Sequence, residues 1–223
     1  MEQHLKILMV DDHPMIIEGY QMTLVATKKP HQHLDIDIAH DCDLANELIL
    51  KAAKNEPYDI CFFDISLPAS KDGLITSGED LAKIARVYLP DAKVIILTMF
   101  NESFRILNII KGINPEGLLI KSDLTSSELA EAFQHILSSP PYYSSTVNTF
   151  LNTAITSDIY LDETNRKILH LLSQGIKTKS LKEHIDLSMS AIEKRKKHLK
   201  LLFDVEDGKD ETLLKEARQK GFL

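Results

Sequence analysis

Short apolar runs alternate with segments of helical periodicity over the first 137 residues of the chain. Four runs are almost continuously apolar, and a fifth alternates apolar with polar residues. The apolar runs are Leu5–Val10, Asp59–Phe63, Val94–Leu97 and Leu118–Ile120, and the alternating run is Leu34–Ala39. These patterns predict four buried strands and one half-exposed edge strand.

Helical periodicity fills the intervals between these runs. The first helix is predicted from Pro14 to about Val25, with proline near its start, and the second follows Asp41, a suitable N-cap. Further helices fit residues 78–88, 102–112 and 125–137. Because parallel neighbours require crossover connections, five alternations of strand and helix predict a mostly parallel sheet with helices on both faces. The expected fold of residues 1–137 is therefore a doubly wound α/β domain with a five-stranded parallel sheet.

The pattern changes after residue 137. Residues 138–157 lack apolar periodicity and contain the helix breakers Pro140-Pro141, so we expect a linker or a loosely docked segment. Residues 158–223 show helical periodicity without any strand. Helices are predicted over residues 162–174, 178–185, 188–203 and 210–220. A small all-α domain is therefore expected to follow the α/β domain.

Composition and charge narrow the class of protein. With 43% hydrophobic and 26% charged residues, the chain is not expected to be disordered. No apolar run approaches the roughly 18 residues of a membrane helix, and we do not expect the first residues to be a signal peptide, because carboxylates follow too soon. Cys42 and Cys61 form no CxxC or disulfide pattern, so we expect a cytoplasmic protein without a membrane partner. The formal net charge is −7, yet residues 176–203 carry eight Lys/Arg against three Asp/Glu, which suggests a different task for each half.

Polar side chains stand at the carboxyl ends of four predicted strands. Asp11 and Asp12 follow the first strand, Asp64 the third, Thr98 the fourth and Lys121 the fifth. In an open α/β sheet, functional side chains gather at this edge. Three clustered carboxylates repel one another unless a cation joins them, and oxygen ligands with room for water suit Mg²⁺. The Thr98 hydroxyl can donate a hydrogen bond to a further anion.

These groups are suited to phosphoryl transfer onto a carboxylate. Asp64 is the candidate nucleophile, and the product would be an aspartyl-phosphate. Asp12 and Asp64 are expected to hold Mg²⁺, with Asp11 acting through water and the backbone carbonyl of Ser66 completing the shell. Lys121 would offset the charge on the phosphoryl oxygens, where positioning and electrostatics provide most of the catalysis.

The C-terminal region contains a basic helix. Ser188 is its candidate N-cap, and one face is lined by Ile192, Leu199, Leu202 and Phe203. The other face displays Glu193, Lys194 and Lys197, while Arg195 and Lys196 widen the positive stripe. With the short helix before it, this arrangement is consistent with a helix-turn-helix whose second helix enters the major groove of DNA. On pattern alone, a small dimerisation or docking domain with a solvated cationic face fits equally well.

Residues 1–137 resemble the receiver domain of two-component response regulators. The matching motifs are Val10-Asp11-Asp12-His13-Pro14, Phe63-Asp64-Ile65-Ser66-Leu67-Pro68, Leu97-Thr98-Met99 and Leu118-Leu119-Ile120-Lys121. The resemblance implies that a histidine kinase phosphorylates Asp64 and that the protein is a regulator rather than an enzyme. Two features depart from the family. The loop Ala69–Ser77 is longer than usual, and Leu118 replaces an aromatic switch residue.

Residues 161–223 resemble the LuxR-type DNA-binding domain of NarL/FixJ response regulators. The matching residues are Ile168-Leu169-His170-Leu171-Leu172-Ser173-Gln174-Gly175, Lys179, Leu187-Ser188, Ile192, Leu199 and Val205. By position, the resemblance implies contacts to bases or phosphates from Glu193, Lys194 and Lys197 and to the DNA backbone from Lys179. Arg195 and Lys196 would add phosphate contacts. The family further implies homodimers on paired half-sites of double-stranded DNA, formed on phosphorylation. Ala191, Arg195 and Asp204 depart from the family pattern, so its base preferences do not transfer.

Two other functions stay open at this point. A Mg²⁺-dependent phosphohydrolase of the haloacid-dehalogenase type also uses a nucleophilic aspartate after a strand. That class needs an acid two residues after the nucleophile, where this chain has Ser66. The second alternative is an interaction module, in which phosphorylation switches contacts with proteins and the basic helices bind a partner or RNA.

Overall fold

The computed structural model describes residues 2–100, 103–156, 161–220 and 222–223. The chain divides into two compact units. The first unit comprises Met1–Phe100 and Ile109–Val147, and the second comprises Asn101–Asn108 and Asn148–Leu223. Residue 102, where the fourth helix is predicted to begin, and residues 157–158, where the linker is predicted to end, lie outside the described residues.

A parallel sheet forms the centre of the first unit. Its strands are β1 (Gln3–Val10), β2 (Gln32–Ala39), β3 (Ile60–Asp64), β4 (Lys93–Thr98), β5 (Gly117–Ile120) and β6 (Tyr142–Tyr143). Among the described residues their order is β2-β1-β3-β4-β5-β6, and every pair of neighbours is parallel. The doubly wound parallel fold is confirmed, with a sixth strand beyond the predicted five.

Helices follow these strands, the first five as the periodicity predicts and the sixth within the segment predicted as a linker. They are α1 (Pro14–Thr27), α2 (Cys42–Ala52), α3 (Gly78–Tyr88), α4 (Ser103–Ile113), α5 (Ser126–Ser138) and α6 (Ser145–Thr156). Asp41 caps α2 as expected, because its side chain accepts a hydrogen bond of 2.8 Å from the backbone N–H of Leu44. The Thr125 hydroxyl caps α5 in the same way through Glu128 N, at 3.1 Å.

The main core of the first unit packs α1 and α5 against one face of the sheet. Ile17 of α1 and Phe133 of α5 meet Phe62 of β3 and Leu97 of β4, and each of these side chains is at most 2% exposed. Burying a side chain of this size contributes about 1.5–3 kcal/mol. The core therefore holds the strands in register at the edge where the polar side chains emerge.

Strand β6 lies in the segment predicted as a linker. The backbone N–H of Tyr142 donates to the carbonyl of Glu116 at 2.9 Å, and that of Ser144 donates to the carbonyl of Leu118 at 3.1 Å. The pairing uses backbone groups that β5 would otherwise leave open at the sheet edge. A strand of two residues is too short to produce a recognisable alternation, which is why the sequence pattern did not reveal it.

Helix α6 also begins within the predicted linker, and a distant residue caps it. The Asp123 carboxylate accepts hydrogen bonds from the backbone N–H and the hydroxyl of Thr146, at 3.0 and 2.8 Å, and from the Ser144 hydroxyl at 2.7 Å. These hydrogen bonds help to hold the pKa of Asp123 below its ordinary value, although burial alone would raise it. A negative charge at a helix N-terminus is stabilising, so Asp123 caps α6 from a distant part of the chain.

The second unit is helical, as predicted. Its elements are α7 (Glu163–Ser173), a 3-10 helix (Thr178–Glu183), α8 (Met189–Leu202) and α9 (Asp210–Gln219). The short helix predicted over residues 178–185 is a 3-10 helix that ends two residues earlier. Only Leu181 and Ile185 supply apolar anchors there, and so short a segment adopts the tighter helix. Ile168, Leu199 and Phe203 are fully buried in the shared core. No helix in the described ranges has the length and apolar character needed to cross a bilayer.

Candidate functional site

The parallel register brings the predicted polar side chains to one edge of the sheet. Val10 pairs with Phe63, so Asp11 emerges beside Asp64 at the ends of β1 and β3. Asp64 pairs with Leu97, and Thr98 pairs with Ile120. Lys121, the residue after Ile120, therefore reaches the same edge. We call Asp11, Asp12, Asp64 and Lys121 together the acidic pocket.

Lys121 joins the two buried acids of this pocket. Its Nζ lies 2.7 Å from Oδ2 of Asp11 and 2.9 Å from Oδ2 of Asp64. Both carboxylates are 1% exposed, and the lysine side chain is 7% exposed. Burial alone would lower the pKa of Lys121, but hydrogen bonds to Asp11 and Asp64 and their negative charges outweigh burial and raise this pKa. The lysine is therefore held as a cation against the candidate nucleophile.

The donor set of the pocket suits a hard divalent cation. One ligand atom from each of Asp11, Asp12, His13 and Asp64 can be chosen so that all lie within 4.8 Å of one another. Oδ1 of Asp12 and Oδ2 of Asp64 are buried in the pocket, with His13 and Lys121 within ion-pair distance of them. Carboxylate oxygens that point into a shared site are the ligands Mg²⁺ prefers. The residues present therefore fit this ion.

His13 lies beside Asp11 and Asp12, and the sequence analysis gave it no role. Its Nδ1 lies 3.2 Å from Oδ1 of Asp11 and 2.8 Å from Oδ1 of Asp12. Its backbone N–H also donates to Oδ1 of Asp11 at 3.0 Å. Its place directly after two acids in the sequence was the available signal.

Thr98 and Ser66 flank the pocket. Thr98 is completely buried at the end of β4, and its Oγ1 accepts a hydrogen bond of 3.0 Å from the backbone N–H of Phe100. The backbone N–H of Ser66 donates to Oδ1 of Asp64 at 3.3 Å. The role of the Ser66 carbonyl as a metal ligand and that of the Thr98 hydroxyl as a donor to phosphate stay predictions.

The long loop after Pro68 is internally hydrogen-bonded. The Ser70 hydroxyl donates to Asp72 at 2.6 Å and accepts from the backbone N–H of Ile75 at 3.0 Å. Ile75 is 7% exposed and anchors the loop. At its end, a Cβ added to Gly78 would lie 1.8 Å from the carbonyl oxygen of Asp64. Only glycine therefore allows α3 to begin so close to the candidate nucleophile.

Leu118 is fully buried in the middle of the sheet. It pairs with Ile96 of β4 on one side and with Tyr143 of β6 on the other. An aromatic switch residue is therefore missing at this position of the described structure, as the sequence indicates.

The basic helix of the second unit is α8, and Ser188 caps it through a hydrogen bond of 3.3 Å from Ala191 N. Four of the predicted DNA contacts are exposed, and their side chains make no hydrogen bond or ion pair within the described ranges. They are Lys179, Glu193, Lys194 and Lys197. Glu193, Lys194 and Lys197 share one face of α8, and Lys179 belongs to the 3-10 helix.

The structure separates Arg195 and Lys196 from these exposed candidates. Arg195 Nη1 donates to Asp162 Oδ2 at 2.7 Å and to Asn165 Oδ1 at 3.0 Å, which ties α8 to α7. Lys196 is 6% exposed and bonds to Asp210 Oδ2 at 2.8 Å. The prediction that Lys196 contacts phosphate conflicts with this burial, because its ammonium group is already paired inside the unit.

Comparisons with known proteins support the resemblance seen in the sequence. A scan against protein-family models found no match. The chain is similar to oxygen regulatory protein NreC of Staphylococcus epidermidis, with 25% identity over 208 residues covering 87% of this chain and 89% of that protein. NreC of Staphylococcus aureus (strain bovine RF122 / ET3-1) is 26% identical over 207 residues, with the same coverage.

Two solved structures of response regulators are also similar to this chain. A two-component response regulator of the LuxR family from Aurantimonas sp. SI85-9A1 is 25% identical with a TM-score of 0.52, covering 66% of this chain and 94% of its own. RcsB from Salmonella enterica serovar Typhimurium, solved bound to the promoter P1flhDC in the presence of the phosphomimetic BeF3⁻, is 21% identical. Its TM-score is 0.61, over 95% of this chain and 97% of that one, and it shows the shared fold.

A doubly wound sheet with an acidic pocket at its carboxyl edge, followed by a helical unit, is the arrangement expected of a two-component response regulator. Within that class, similarity to the NreC proteins over most of the chain and to the LuxR-family regulator supports the NarL/FixJ type predicted from the sequence.

Proposed function

We propose that Asp64 accepts a phosphoryl group from a histidine kinase and that this modification controls DNA binding by the second unit. An oxygen of the Asp64 carboxylate attacks the phosphorus as the N–P bond of a phosphohistidine breaks, and the histidine leaves as the free imidazole. Mg²⁺ held by Asp11, Asp12 and Asp64 would supply positive charge against the phosphoryl oxygens when it is bound. Lys121 stays charged and binds one of these oxygens, while Thr98 donates to another.

The single observation that carries this proposal is the position of Lys121 between two buried acids. Its Nζ is 2.9 Å from the candidate nucleophile and 2.7 Å from Asp11. Phosphorylation adds a charge of about −1.5 to −2 at Asp64, so the pocket needs a cation that can pair with the phosphoryl oxygens. A lysine already held there can exchange a carboxylate oxygen for a phosphoryl oxygen with little reorganisation.

For the second unit we propose sequence-specific binding to double-stranded DNA, with regulation of transcription as the outcome. Support comes from the exposed stripe of Glu193, Lys194 and Lys197 on α8 and from the DNA complex of the structural relative RcsB. Lys194 and Lys197 suit phosphates or guanine, and Lys179 suits the backbone. As for RcsB, solved as dimers on DNA, we propose that phosphorylated chains bind DNA as homodimers.

We further propose a cytoplasmic regulator that does not turn over a substrate. Both cysteines are free and buried. The residue two places after Asp64 is Ser66, where a phosphohydrolase of the haloacid-dehalogenase type needs an acid. The NreC relatives are named as regulatory proteins.

Labelling with acetyl phosphate tests the phosphoacceptor. The wild-type chain should incorporate an acid- and hydroxylamine-labile phosphoryl group in the presence of Mg²⁺, and Asp64→Asn should not. Asp91→Asn, which changes an exposed aspartate of the same unit, is the matched control and should label like the wild type. Undiminished labelling of Asp64→Asn would refute the assignment.

Light scattering and DNA selection test the output. With the phosphoryl mimic BeF3⁻ and Mg²⁺, the mass of the wild-type chain should rise towards that of a dimer. In vitro selection from random duplexes should then enrich a motif with two half-sites about one helical turn apart. An unchanged mass together with no enriched sequence would contradict the proposed DNA-binding dimer.

A further inference from the structure

Lys196 is a buried cation in the middle of the helix that we assign to DNA. Its side chain is 7% exposed, whereas Lys194 and Lys197 on the same helix are exposed. It lies four residues after Ile192 and three before Leu199, both fully buried, so it belongs to the stripe that packs on the core. A charge in such a position costs free energy unless it is paired and hydrogen-bonded.

The ammonium group of Lys196 connects three elements of the second unit. It donates to Thr178 Oγ1 in the 3-10 helix and to Oδ2 of Asp210, the first residue of α9, at 2.8 Å. Lys200 Nζ, one turn further along α8, lies 2.6 Å from the other oxygen of Asp210. Burial would raise the pKa of Asp210, but hydrogen bonds to Lys196 and Lys200 outweigh burial and lower it, so the Asp210 carboxyl stays ionised.

Apolar contacts alone define the rotation of a helix loosely, since they are not directional. Side chains extend about 5–6 Å from the helix axis, so a rotation of about 20° would displace their tips by about 2 Å. Hydrogen bonds to a base edge tolerate only a few tenths of an ångström around 2.9 Å. The bonds from Lys196 to two different elements are directional, and they fix the rotation that apolar packing leaves open.

We propose that Lys196 and Asp210 are positioning residues that set the rotation of α8, so that Glu193, Lys194 and Lys197 meet base edges together. This inference rests on the proposed DNA binding. It assigns to Lys196 an indirect role in sequence discrimination in place of a phosphate contact. Lys196 is buried, whereas the Asp210 side chain is 36% exposed. Buried ion pairs often add little stability, and structural specificity is the contribution expected of this partly buried pair.

The test replaces the pair with apolar residues in the double variant K196M/D210L. One positive and one negative charge are removed, so the net charge of the unit is unchanged. The control K220M/D204N removes a similar pair at the surface, where the atoms are 3.6 Å apart and the side chains are 36% and 87% exposed. Asparagine suits position 204 because Asp204 has a φ of 56°.

Dissociation constants are measured for the sequence that the wild-type chain selects and for random duplex DNA, over a range of salt concentrations. We expect K196M/D210L to bind the selected sequence at least about tenfold more weakly, as for loss of one bidentate base contact. Its affinity for random DNA and its salt dependence should stay within twofold of the wild type, because net charge governs both. The thermal midpoint should not fall, and K220M/D204N should behave as wild type throughout.

An unchanged ratio of specific to random affinity in folded K196M/D210L would overturn the positioning role, as would an equal loss in the control. If the double variant does not fold, T178V retains both charges and removes one bond of Lys196, and the same ratio should fall to a smaller extent. An unchanged ratio in T178V would then overturn the inference. Failure of the proposed function looks different, since the wild-type chain itself would select no sequence.

Discussion

Lys121→Met removes the cation that joins the two buried acids of the acidic pocket. Asp11 and Asp64 are each 1% exposed, so they cannot be fully rehydrated in the folded variant. Removing one member of a buried ion pair costs about 3–5 kcal/mol, because the remaining charge is left buried. The side chain of Asp12 at the mouth of the pocket is 28% exposed, so some water reaches the acids. We therefore expect the lower end of this range, about 3 kcal/mol.

Urea denaturation in EDTA measures this loss of unfolding free energy in the transition of the first unit. The transition is followed by circular dichroism, because the chain has no tryptophan. Lys54→Met is the control, because it changes an exposed lysine of the same unit. The double variant Lys121→Met/Asp11→Asn should recover part of the loss, since one unpaired charge is then removed. Millimolar Mg²⁺ should stabilise Lys121→Met more than the wild type. A Lys121→Met transition within 0.5 kcal/mol of the wild type would refute the reasoning.

Three further predictions concern other parts of the chain. Gly78→Ala should destabilise the first unit by about 3 kcal/mol and slow labelling by acetyl phosphate, because its Cβ would lie 1.8 Å from a backbone oxygen at the end of β3. Gly19→Ala, which meets nothing within 4 Å, should keep or raise stability. Because folding lowers the pKa of Asp210, its ionised carboxylate stabilises the second unit above the ordinary pKa of aspartate, and this contribution is lost as the pH falls through the folded pKa. D210N should therefore flatten the fall of the thermal midpoint at acid pH. K194A/K197A should weaken DNA binding and reduce the slope of log affinity against log salt by up to about 2, because two cations leave the exposed face of α8, and unchanged titrations would contradict their contact with DNA.

The acidic pocket was predictable from sequence because it depends on local strands and on one topological rule. Each of Asp11, Asp64 and Lys121 directly follows or ends an apolar run, and parallel strands bring their carboxyl ends to the same edge. No long-range information beyond parallel pairing is needed to bring these residues together. The distances themselves, and the approach of His13 to both neighbouring acids, depend on side-chain packing that periodicity does not specify.

The segment after residue 138 was not predictable in this way, because its partners are distant in the sequence. The cap of α6 comes from Asp123, which lies 23 residues before Thr146, and β6 gains its backbone partners from Glu116 and Leu118. Neither feature leaves a local pattern in residues 138–157. The pair of prolines correctly indicated where α5 ends, but it gave no information on the structure that resumes after it.

Lys196 shows that helical spacing can place a charged residue on the packing side of a helix without revealing its partner. Five basic residues between positions 194 and 200 form an apparent positive stripe, yet a helix turns 100° per residue and cannot present them all on one face. The spacing of Ile192, Lys196, Leu199 and Phe203, at i, i+4, i+7 and i+11, already places the lysine on the buried side. What the sequence lacked was the partner, since Asp210 lies 14 residues later at the start of another helix. The spacing therefore separates Lys196 from Lys194 and Lys197, but the ion pair that holds its ammonium group depends on a contact between helices that periodicity does not specify.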